Sequence, residues 1–335
     1  MTELPETEEP LIPVFATRSR TGSRYTVGFA TTAGEVVIDP MFEDGDWFFN
    51  GLAAVQLGGK WGFIDARGEW RIPPQSQLNS RFSCGRAATL QDGKWGYVDG
   101  SGDVVVEHRF DIAAQFIGGF AAVRVGDAGW MLIDPSGEPV FDETLEDLGE
   151  VSEGLVAAQY GGKWGYLDPV AREWHLTPRF SGTICSSFQE DRARVLQDGK
   201  FGFINRDGDF VIKPSYESAL DFREGLAPVG DQDRCFGCID REGRMAIEFD
   251  EVVWGMATFS ERLASVSIDE KGVGFIDKQG GIVIPPRFLD ASPFRDGVSF
   301  VVTASKVAYI DRAGRTQWEG KYVQAPLWIN QPHLY

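Results

Sequence analysis

Short runs of mostly apolar residues, separated by glycine-rich pairs, recur along the chain. The run Leu52–Leu57 is followed by Gly58-Gly59 and then by a second run, Trp61–Asp65. Such pairs accept the positive φ of a type I′ turn, so the two runs predict a β-hairpin. An Asp-x-x-Gly turn follows the second run and leads into a third, such as Val211-Ile212. The pattern therefore predicts a three-stranded meander.

The meander recurs at a regular spacing when the second strands are aligned. The position of Asp65 is occupied in turn by residues 31, 65, 99, 134, 168, 205, 240, 277 and 311, in steps of 34 to 37 residues. Repetition at a fixed period is typical of units that pack on their neighbours. The sequence thus predicts about nine tandem repeats over residues 14–318, numbered 1 to 9 below. Residues 1–13 are interpreted as an acidic N-terminal segment and residues 319–335 as an aromatic C-terminal cap.

Three positions of the second strand carry the repeat motif: an aromatic residue, the glycine that follows it, and an aspartate. They are occupied by Trp61, Gly62 and Asp65; by Trp95, Gly96 and Asp99; by Trp164, Gly165 and Asp168; and, for the first two positions, by Phe201 and Gly202. Neighbouring side chains of a strand point to opposite faces, so the glycine is expected to let another backbone approach closely. The aspartate is expected to accept backbone N–H groups in the turn. A proline in the third strand, such as Pro178 or Pro214, is expected to end that strand.

The strings KWGFID, KWGYVD, KWGYLD and KFGFIN, with I-x-P-x-F and F-x-x-G-L-A following, resemble the bacterial WG (tryptophan–glycine) β-repeat. The resemblance covers about residues 14–318 and implies a repetitive β-architecture without catalytic residues. Proteins of this type are similar to interaction scaffolds, some of them in bacterial secretion and toxin–antitoxin settings. The copies at Trp130 and Val307 depart from the motif, which leaves their local geometry open.

The predicted fold class is all-β, with three-stranded repeats of about 35 residues stacked as an open superhelical β-solenoid. The first copy has its own first strand, Val14–Thr17, and the last copy has its own third strand, Thr316–Trp318. Neither end needs to borrow a strand to complete a repeat, which favours the open arrangement. A closed β-propeller-like ring is the alternative.

Charge and cysteine content narrow the classes of partner. The chain has 32 basic and 50 acidic residues, a net charge of −18, which disfavours nucleic acid and anionic membranes and favours a basic protein. The same charge also fits simple solubility. Four cysteines in 335 residues do not form a disulfide framework, and the acidic start MTELPETEEP does not resemble a signal peptide. We therefore expect a cytoplasmic protein with reduced thiols.

No catalytic, metal or cofactor site is expected from the sequence. The histidines His108, His175 and His333 have no motif partner, and no nucleophile, phosphate-loop or zinc-protease motif is present. Cys235-x-x-Cys238 occupies structural positions of the repeat and lacks the second pair that a zinc site needs. One aspartate per repeat supplies too few oxygens for calcium.

Three tryptophans lie outside the repeat motif and are candidate anchors for a partner: Trp47, Trp254 and Trp328. Packing within linkers is the alternative for each. The sequence therefore predicts a non-enzymatic protein-binding scaffold, most concretely an immunity or adaptor protein that binds a basic toxin or secretion-system effector. A carbohydrate-binding repeat module is the alternative function.

Overall fold

The described part of the chain consists of β-strands and the turns between them. The computed structural model describes residues 10–17, 25–78, 81–127, 129–182, 185–269 and 271–321. Across these ranges no helix is long and apolar enough to cross a membrane. The all-β fold class and its tandem, antiparallel meanders are confirmed.

Repeats 1 to 5 contain the first strands of the chain. They are β1 (Leu11–Thr17), β2 (Tyr25–Thr31), β3 (Val36–Phe42), β4 (Asp44–Phe49), β5 (Leu52–Leu57), β6 (Lys60–Asp65), β7 (Trp70–Leu78), β8 (Ala87–Gln91), β9 (Lys94–Val98), β10 (Val104–Phe110), β11 (Ile112–Ala113), β12 (Ala121–Arg124), β13 (Trp130–Ile133), β14 (Asp147–Ser152), β15 (Leu155–Tyr160), β16 (Lys163–Asp168) and β17 (Glu173–Phe180).

Repeats 6 to 9 contain the remaining strands. They are β18 (Ala193–Gln197), β19 (Lys200–Ile204), β20 (Phe210–Tyr216), β21 (Ser218–Ala219), β22 (Ala227–Gly230), β23 (Cys235–Ile239), β24 (Met245–Met256), β25 (Leu263–Ile268), β26 (Gly272–Asp277), β27 (Ile282–Phe288), β28 (Asp290–Ala291), β29 (Val298–Val302), β30 (Lys306–Asp311) and β31 (Thr316–Lys321).

A short linking strand precedes the three predicted strands in several repeats. Repeats 5 and 9 are four-stranded sheets in the orders β14-β15-β16-β17 and β28-β29-β30-β31. In repeat 2 the linking strand β4 pairs with β5 from Asp44↔Gln56 to Phe49↔Leu52. The sequence predicts only a turn here. The segment becomes a strand because pairing with the first strand satisfies its backbone groups.

Proline does not end the third strand, contrary to the prediction from the sequence. Strand β17 continues through Pro178 to Phe180. Its pairing with β16 slips between Trp164↔Phe180 and Tyr166↔Leu176, which leaves a bulge that contains the proline. The missing N–H of proline therefore falls where the ladder is already interrupted.

The two atypical copies behave differently. Repeat 9, around Val307, forms a complete β30–β31 hairpin. Within the described residues 129–182, repeat 4 has no third strand, and isolated bridges connect Ile133 with Pro139 and Trp130 with Leu145. The first hairpin therefore forms in both atypical copies, whereas the third strand forms in repeat 9 and not in repeat 4.

In several repeats the core pairs one aromatic residue of the second strand with one phenylalanine of the next linking segment. Tyr97 packs on Phe116 at a centroid distance of 4.7 Å, and Phe275 packs on Phe294 at 4.9 Å. The linking phenylalanines are all buried: Phe82, Phe116, Phe188, Phe222, Phe259 and Phe294. These repeats complete their cores with a residue of the following repeat, as expected of a tandem array.

The chain divides into two compact units. Unit 1 contains Phe42–Phe210, and unit 2 contains Val14–Met41 together with the chain from Val211 onward. Each unit has its own apolar clusters. Leu155, Tyr166 and Phe188 belong to one in unit 1, and Phe275, Phe288 and Phe294 belong to one in unit 2.

Within unit 2, repeat 1 packs on repeat 9. A methyl group placed on Gly314 of repeat 9 would meet Ile284 of repeat 8 at 3.1 Å. The equivalent Gly34 of repeat 1 lies against the backbone of Gln317 in repeat 9, and Phe15 packs edge-on against Trp318 at 6.2 Å. Strand β31 also extends three residues past the predicted repeat boundary at residue 318. The course of the whole array, open superhelix or ring, stays a prediction.

Candidate interaction surface

The aspartate of the motif builds the turn after the second strand, as predicted. Asp65 accepts hydrogen bonds through Oδ1 from the backbone N–H groups of Arg67 at 2.9 Å and Glu69 at 3.0 Å. The same pattern recurs at Asp99, Asp134, Asp240, Asp277 and Asp311. Asp168 accepts from Val170 and Ala171 instead, because its turn is one residue longer. These carboxylates are therefore committed to turn geometry.

The glycine of the motif allows close contact with the bulged third strand. A methyl group on Gly62 would lie 2.5 Å from the carbonyl oxygen of Ile72, and one on Gly96 would lie 2.6 Å from that of Val106. Gly165 has the same relation to Leu176. Gly202 is buried in β19 and pairs with Val195. The predicted close approach is confirmed for the first three glycines, and the approaching group is a carbonyl.

The aromatic residue before this glycine is only partly enclosed. Trp164 is buried at 6% exposure, whereas Trp61, Trp95 and Phe201 are intermediate. The guanidinium of Arg194 lies 4.9 Å from the ring centroid of Phe201. This motif position therefore belongs to the packing of the sheet, with one ring edge near solvent.

The linking segments contain a row of tight turns, and the bonds between successive turns were not predicted from the sequence. Their central residues have positive φ in every case: Asn50-Gly51, Cys84-Gly85, Gly118-Gly119, Glu153-Gly154, Glu190-Asp191, Glu224-Gly225, Glu261-Arg262 and Asp296-Gly297. Glutamates at the first central position reach the next turn. Glu153 accepts from the N–H of Glu190 at 2.5 Å, and Glu261 accepts from that of Gly297 at 3.1 Å. The acidic residue at the first central position of several turns is the sequence feature that could have predicted these bonds.

The candidate tryptophans Trp47 and Trp254 differ in exposure to solvent. Trp47, on the linking strand β4, is buried at 4% exposure, so its predicted role as an exposed anchor is wrong. Trp328 lies outside the described residues. Trp254 is 55% exposed on β24. Of the two candidates within the described residues, Trp254 is the one that presents an accessible aromatic surface of the kind that anchors partners.

Trp254 lies in an apolar and acidic setting. Its indole Nε1 donates to Asp269 Oδ1 at 2.8 Å, which holds the ring against the β25–β26 hairpin turn. Val252, two residues earlier on the strand, is 39% exposed, while Val253 between them is buried. The exposed carboxylates nearby in sequence include Glu248 and Asp250. This combination can contact an apolar group and attract positive charge at once.

The Cys235-x-x-Cys238 pair offers no reactive thiolate. Cys238 lies in the apolar cluster of repeats 7 and 8, and burial raises its pKa far above the usual range. Burial also raises the pKa of Cys235, whose thiol donates to the carbonyl oxygens of Gly237 and Val229. A protonated thiol is a poor nucleophile and a poor metal ligand. In the described ranges, no three or more His, Cys, Asp or Glu residues are placed to hold a metal ion.

The fold and its recurring geometry define a tandem β-repeat protein. The family model "WG containing repeat" matches residues 28–61, 61–95, 95–127, 130–164, 164–201, 201–231 and 274–306. The chain therefore belongs to the WG repeat family. A repeat β-scaffold of this kind fits a protein-interaction role. No curated protein matches the chain.

Solved structures share the fold at low sequence identity. A structure described as the eukaryotic initiation factor aligns with a TM-score of 0.66 and 11% identity, covering 94% of this chain and 97% of that chain. BamB from Moraxella catarrhalis aligns with a TM-score of 0.45 and 14% identity, covering 82% and 95%. AztD from Citrobacter koseri gives 0.47 and 13%, covering 93% and 95%. The first likeness extends over almost the whole chain and concerns the fold alone.

Proposed function

We propose that this protein is a non-enzymatic scaffold that binds a basic protein partner. The observation that carries the proposal is Trp254, an exposed tryptophan anchored by a carboxylate on a rigid β-sheet. Its orientation is set before binding, so little side-chain entropy is lost when a partner covers it.

The charge of the chain supports a basic partner. The net charge of −18 creates a negative field that speeds encounters with positively charged proteins. Electrostatic attraction alone gives weak, salt-sensitive binding, whereas an apolar anchor adds a component that salt does not screen. We therefore place the specificity at the apolar side chains and the rate of association in the surrounding carboxylates.

The most concrete form of the proposal is an immunity or adaptor protein for a basic toxin or secretion-system effector. The family resemblance and the acidic surface support it. A rigid, acidic surface can cover a cationic active site by complementary charge.

Affinity capture from a lysate of the source organism, washed at rising salt, tests the proposed function. We expect one protein of basic isoelectric point to be retained in stoichiometric amount through washes of about 0.5 M salt, well beyond the range in which weak nonspecific attraction survives. Loss of all retained proteins at about 0.15 M salt would contradict a specific scaffold.

A carbohydrate ligand is the second candidate, because an exposed indole beside carboxylates can also stack on a sugar ring. A titration of intrinsic fluorescence with a panel of glycans, compared between the native chain and Trp254→Phe, separates the two. A saturable change that the substitution removes would favour the sugar, and no change would favour the protein partner.

A further inference from the structure

One position of the repeat holds a carboxylate in four repeats and an exposed apolar side chain in two others. It directly precedes the linking-strand residues Asp44, Ile112, Asp147, Ser218, Gly255 and Asp290, which pair with Gln56, Arg124, Gln159, Gly230, Ser267 and Val302. We name it the capping position, and it is occupied by Glu43, Asp111, Glu146, Glu217, Trp254 and Leu289.

In repeats 2, 4 and 5 the carboxylate at the capping position closes the turn of the first hairpin. Glu43 accepts from the backbone N–H of Gly59 at 2.8 Å, Asp111 from that of Gly126 at 2.6 Å, and Glu146 from that of Gly162 at 2.9 Å. The cap satisfies an amide of the turn and keeps a charged group in water. The repeat therefore has a structural reason for an acid at this position.

Repeats 8 and 9 replace that acid with large apolar side chains that remain in solvent. Trp254 is 55% exposed and Leu289 is 66% exposed. The indole of Trp254 still reaches the hairpin turn, through Asp269, but most of its ring lies in water. Leucine has no polar group with which to cap a turn. Neither side chain gains the burial that normally stabilises an apolar residue.

The two side chains lie on either side of one hairpin turn. Trp254 is bonded to Asp269 at the start of the turn. Gly272 ends it, and a methyl group there would meet the carbonyl oxygen of Phe288, the residue before Leu289, at 2.6 Å. Strand β26, which begins at Gly272, contacts β28, which follows Leu289. Val252, Trp254 and Leu289 therefore border the same turn, and we call them the Trp254–Leu289 patch.

The charges around the patch are mainly negative. Glu248, Asp250, Asp269 and Asp290 are exposed, and each is close in sequence or bonded to a member of the patch. The exposed cations close in sequence are Lys271 in the turn and Arg287, whose guanidinium donates to the carbonyl of Gly314 at 2.8 Å. A ligand that fits must bring apolar groups to the centre and positive charge to the rim.

We infer that the Trp254–Leu289 patch is the docking surface for a protein segment in which apolar residues alternate with lysine or arginine. This inference rests on the proposed function and gives it a location. A second copy of this chain is disfavoured as the occupant, because it would bring like charge to an acidic rim. In an extended segment the apolar side chains face one side and can contact the patch. The cations start from the other side, and lysine and arginine are long enough to bend back to the rim.

A defined peptide tests the surface without the natural partner. The probe is a short dye-labelled peptide in which lysine and leucine alternate, and its control replaces each leucine with glycine at equal charge. We expect the first to bind the full chain, measured by fluorescence anisotropy at about 0.15 M salt. The charge-matched control should bind at least about tenfold more weakly.

Substitutions then locate the binding. Trp254→Ala and Leu289→Ala should each raise the Kd of the lysine–leucine peptide about tenfold or more. Trp254→Phe retains an apolar ring and should keep most of the affinity. Ile282→Ala, at 55% exposure in the same unit, removes a comparable side chain outside the patch and should leave Kd unchanged. Thermal melts of each variant show whether the fold is intact.

Equal affinity of wild type, Trp254→Ala and Leu289→Ala would overturn the inference. A natural partner that is captured as proposed but binds all three chains alike would leave the scaffold function standing and refute the patch. A wild-type dimer in sedimentation velocity that Leu289→Ala converts to a monomer would also refute it, in favour of self-association.

Discussion

At the scale of single residues, the glycine of the repeat motif is required by close contacts between backbones. The glycine in the second strand faces a carbonyl of the bulged third strand in repeats 2, 3 and 8. A side chain at that position would collide with backbone, which cannot move without disturbing the ladder. The motif glycine is thus fixed by packing, while glycines with open space around them are not.

The first prediction compares two glycines of unit 2. In Gly274→Ala the new methyl group would lie 2.6 Å from the carbonyl oxygen of Ile284 and 2.7 Å from the nitrogen of Pro286. We expect a loss of about 1–3 kcal/mol in the free energy of unfolding, measured by urea denaturation. Gly255→Ala, with nothing within 4 Å, is the control and should be neutral or slightly stabilising. Equal loss in both variants would contradict the packing argument.

The second prediction concerns pH and the cap on a hairpin of unit 1. Hydrogen bonds from the Lys94 ammonium and the Gly126 amide lower the pKa of Asp111 below its ordinary value of 3.8. A lowered pKa in the fold means that the ionised carboxylate stabilises the protein above about pH 4 and that this contribution fades as pH falls below it. Asp111→Asn should therefore melt at a lower temperature than wild type at neutral pH.

The difference in melting temperature between wild type and Asp111→Asn should shrink toward zero near pH 3. Lys94→Ala should reduce the same difference at neutral pH, because it removes the cation that favours the ionised form. A gap that is constant from neutral pH to about pH 2.5 would contradict the assignment of the effect to this carboxylate.

At the scale of elements, the linking segments connect the repeats through both apolar and polar contacts. A buried phenylalanine fills the core of the preceding repeat, and the turn beyond it is bonded to the next turn through a glutamate. Glu261 accepts from the N–H of Gly297 and also from Arg312, at 2.7 Å. The same arrangement joins Glu153 to Glu190 and Arg206. These contacts orient successive repeats.

The third prediction tests one such connection. Glu261→Ala should lower the free energy of unfolding by about 1 kcal/mol, since it removes the acceptor for a backbone amide and for Arg312. Arg312→Ala should cost less, because the guanidinium is half exposed and screened by solvent. A double-mutant cycle should give a coupling of about 0.5 kcal/mol between the two residues. A neutral Glu261→Ala would show that the glutamate does not hold the turns.

The elements were largely predictable from the sequence, with instructive exceptions. Hairpins such as β5–β6 are predicted by Gly58-Gly59 between apolar runs, and the turn at Asp65 by its spacing to Gly68. The linking strands were missed because their pairing depends on a partner strand, which local composition does not reveal. The sequence predicts a strand end at Pro178, because the bulge that accommodates this proline is a property of the paired strands.

The candidate site was less predictable than the fold. Trp47 and Trp254 both lie outside the motif in the sequence, yet one is buried at 4% and the other is exposed at 55%. Their difference comes from packing between segments far apart in the chain. Nothing in the sequence around Leu289 marks it as a candidate binding residue. The strand register identifies it, because it places Leu289 at the same capping position as Glu43 and Asp111.

At the scale of the whole molecule, contacts between the first and last repeats contribute to unit 2. Phe15 lies 6.3 Å from Phe300 and 6.2 Å from Trp318 between ring centroids. Gly34 lies against the backbone of Gln317. The first repeat is thereby part of the same compact unit as the last, and its loss would expose apolar surface there.

The fourth prediction tests that contact. Phe15→Ala and Trp318→Ala should each destabilise the protein, and their double-mutant cycle should show a coupling of about 0.5–1.5 kcal/mol, the range for aromatic pairs. Phe15→Ala combined with Val170→Ala, a 79% exposed residue, should be additive. Additivity of the first pair would show that the two repeats do not support each other.

The binding function belongs to the same scale, because it combines the field of the entire acidic chain with a few apolar side chains. The most direct test is calorimetry of the purified retained partner with the full chain, at several temperatures and salt concentrations. We predict one-to-one binding that persists at about 0.5 M salt, with a negative heat-capacity change from the burial of apolar surface. Binding that disappears with salt and shows no heat-capacity change would contradict a specific scaffold and leave only nonspecific attraction to negative charge.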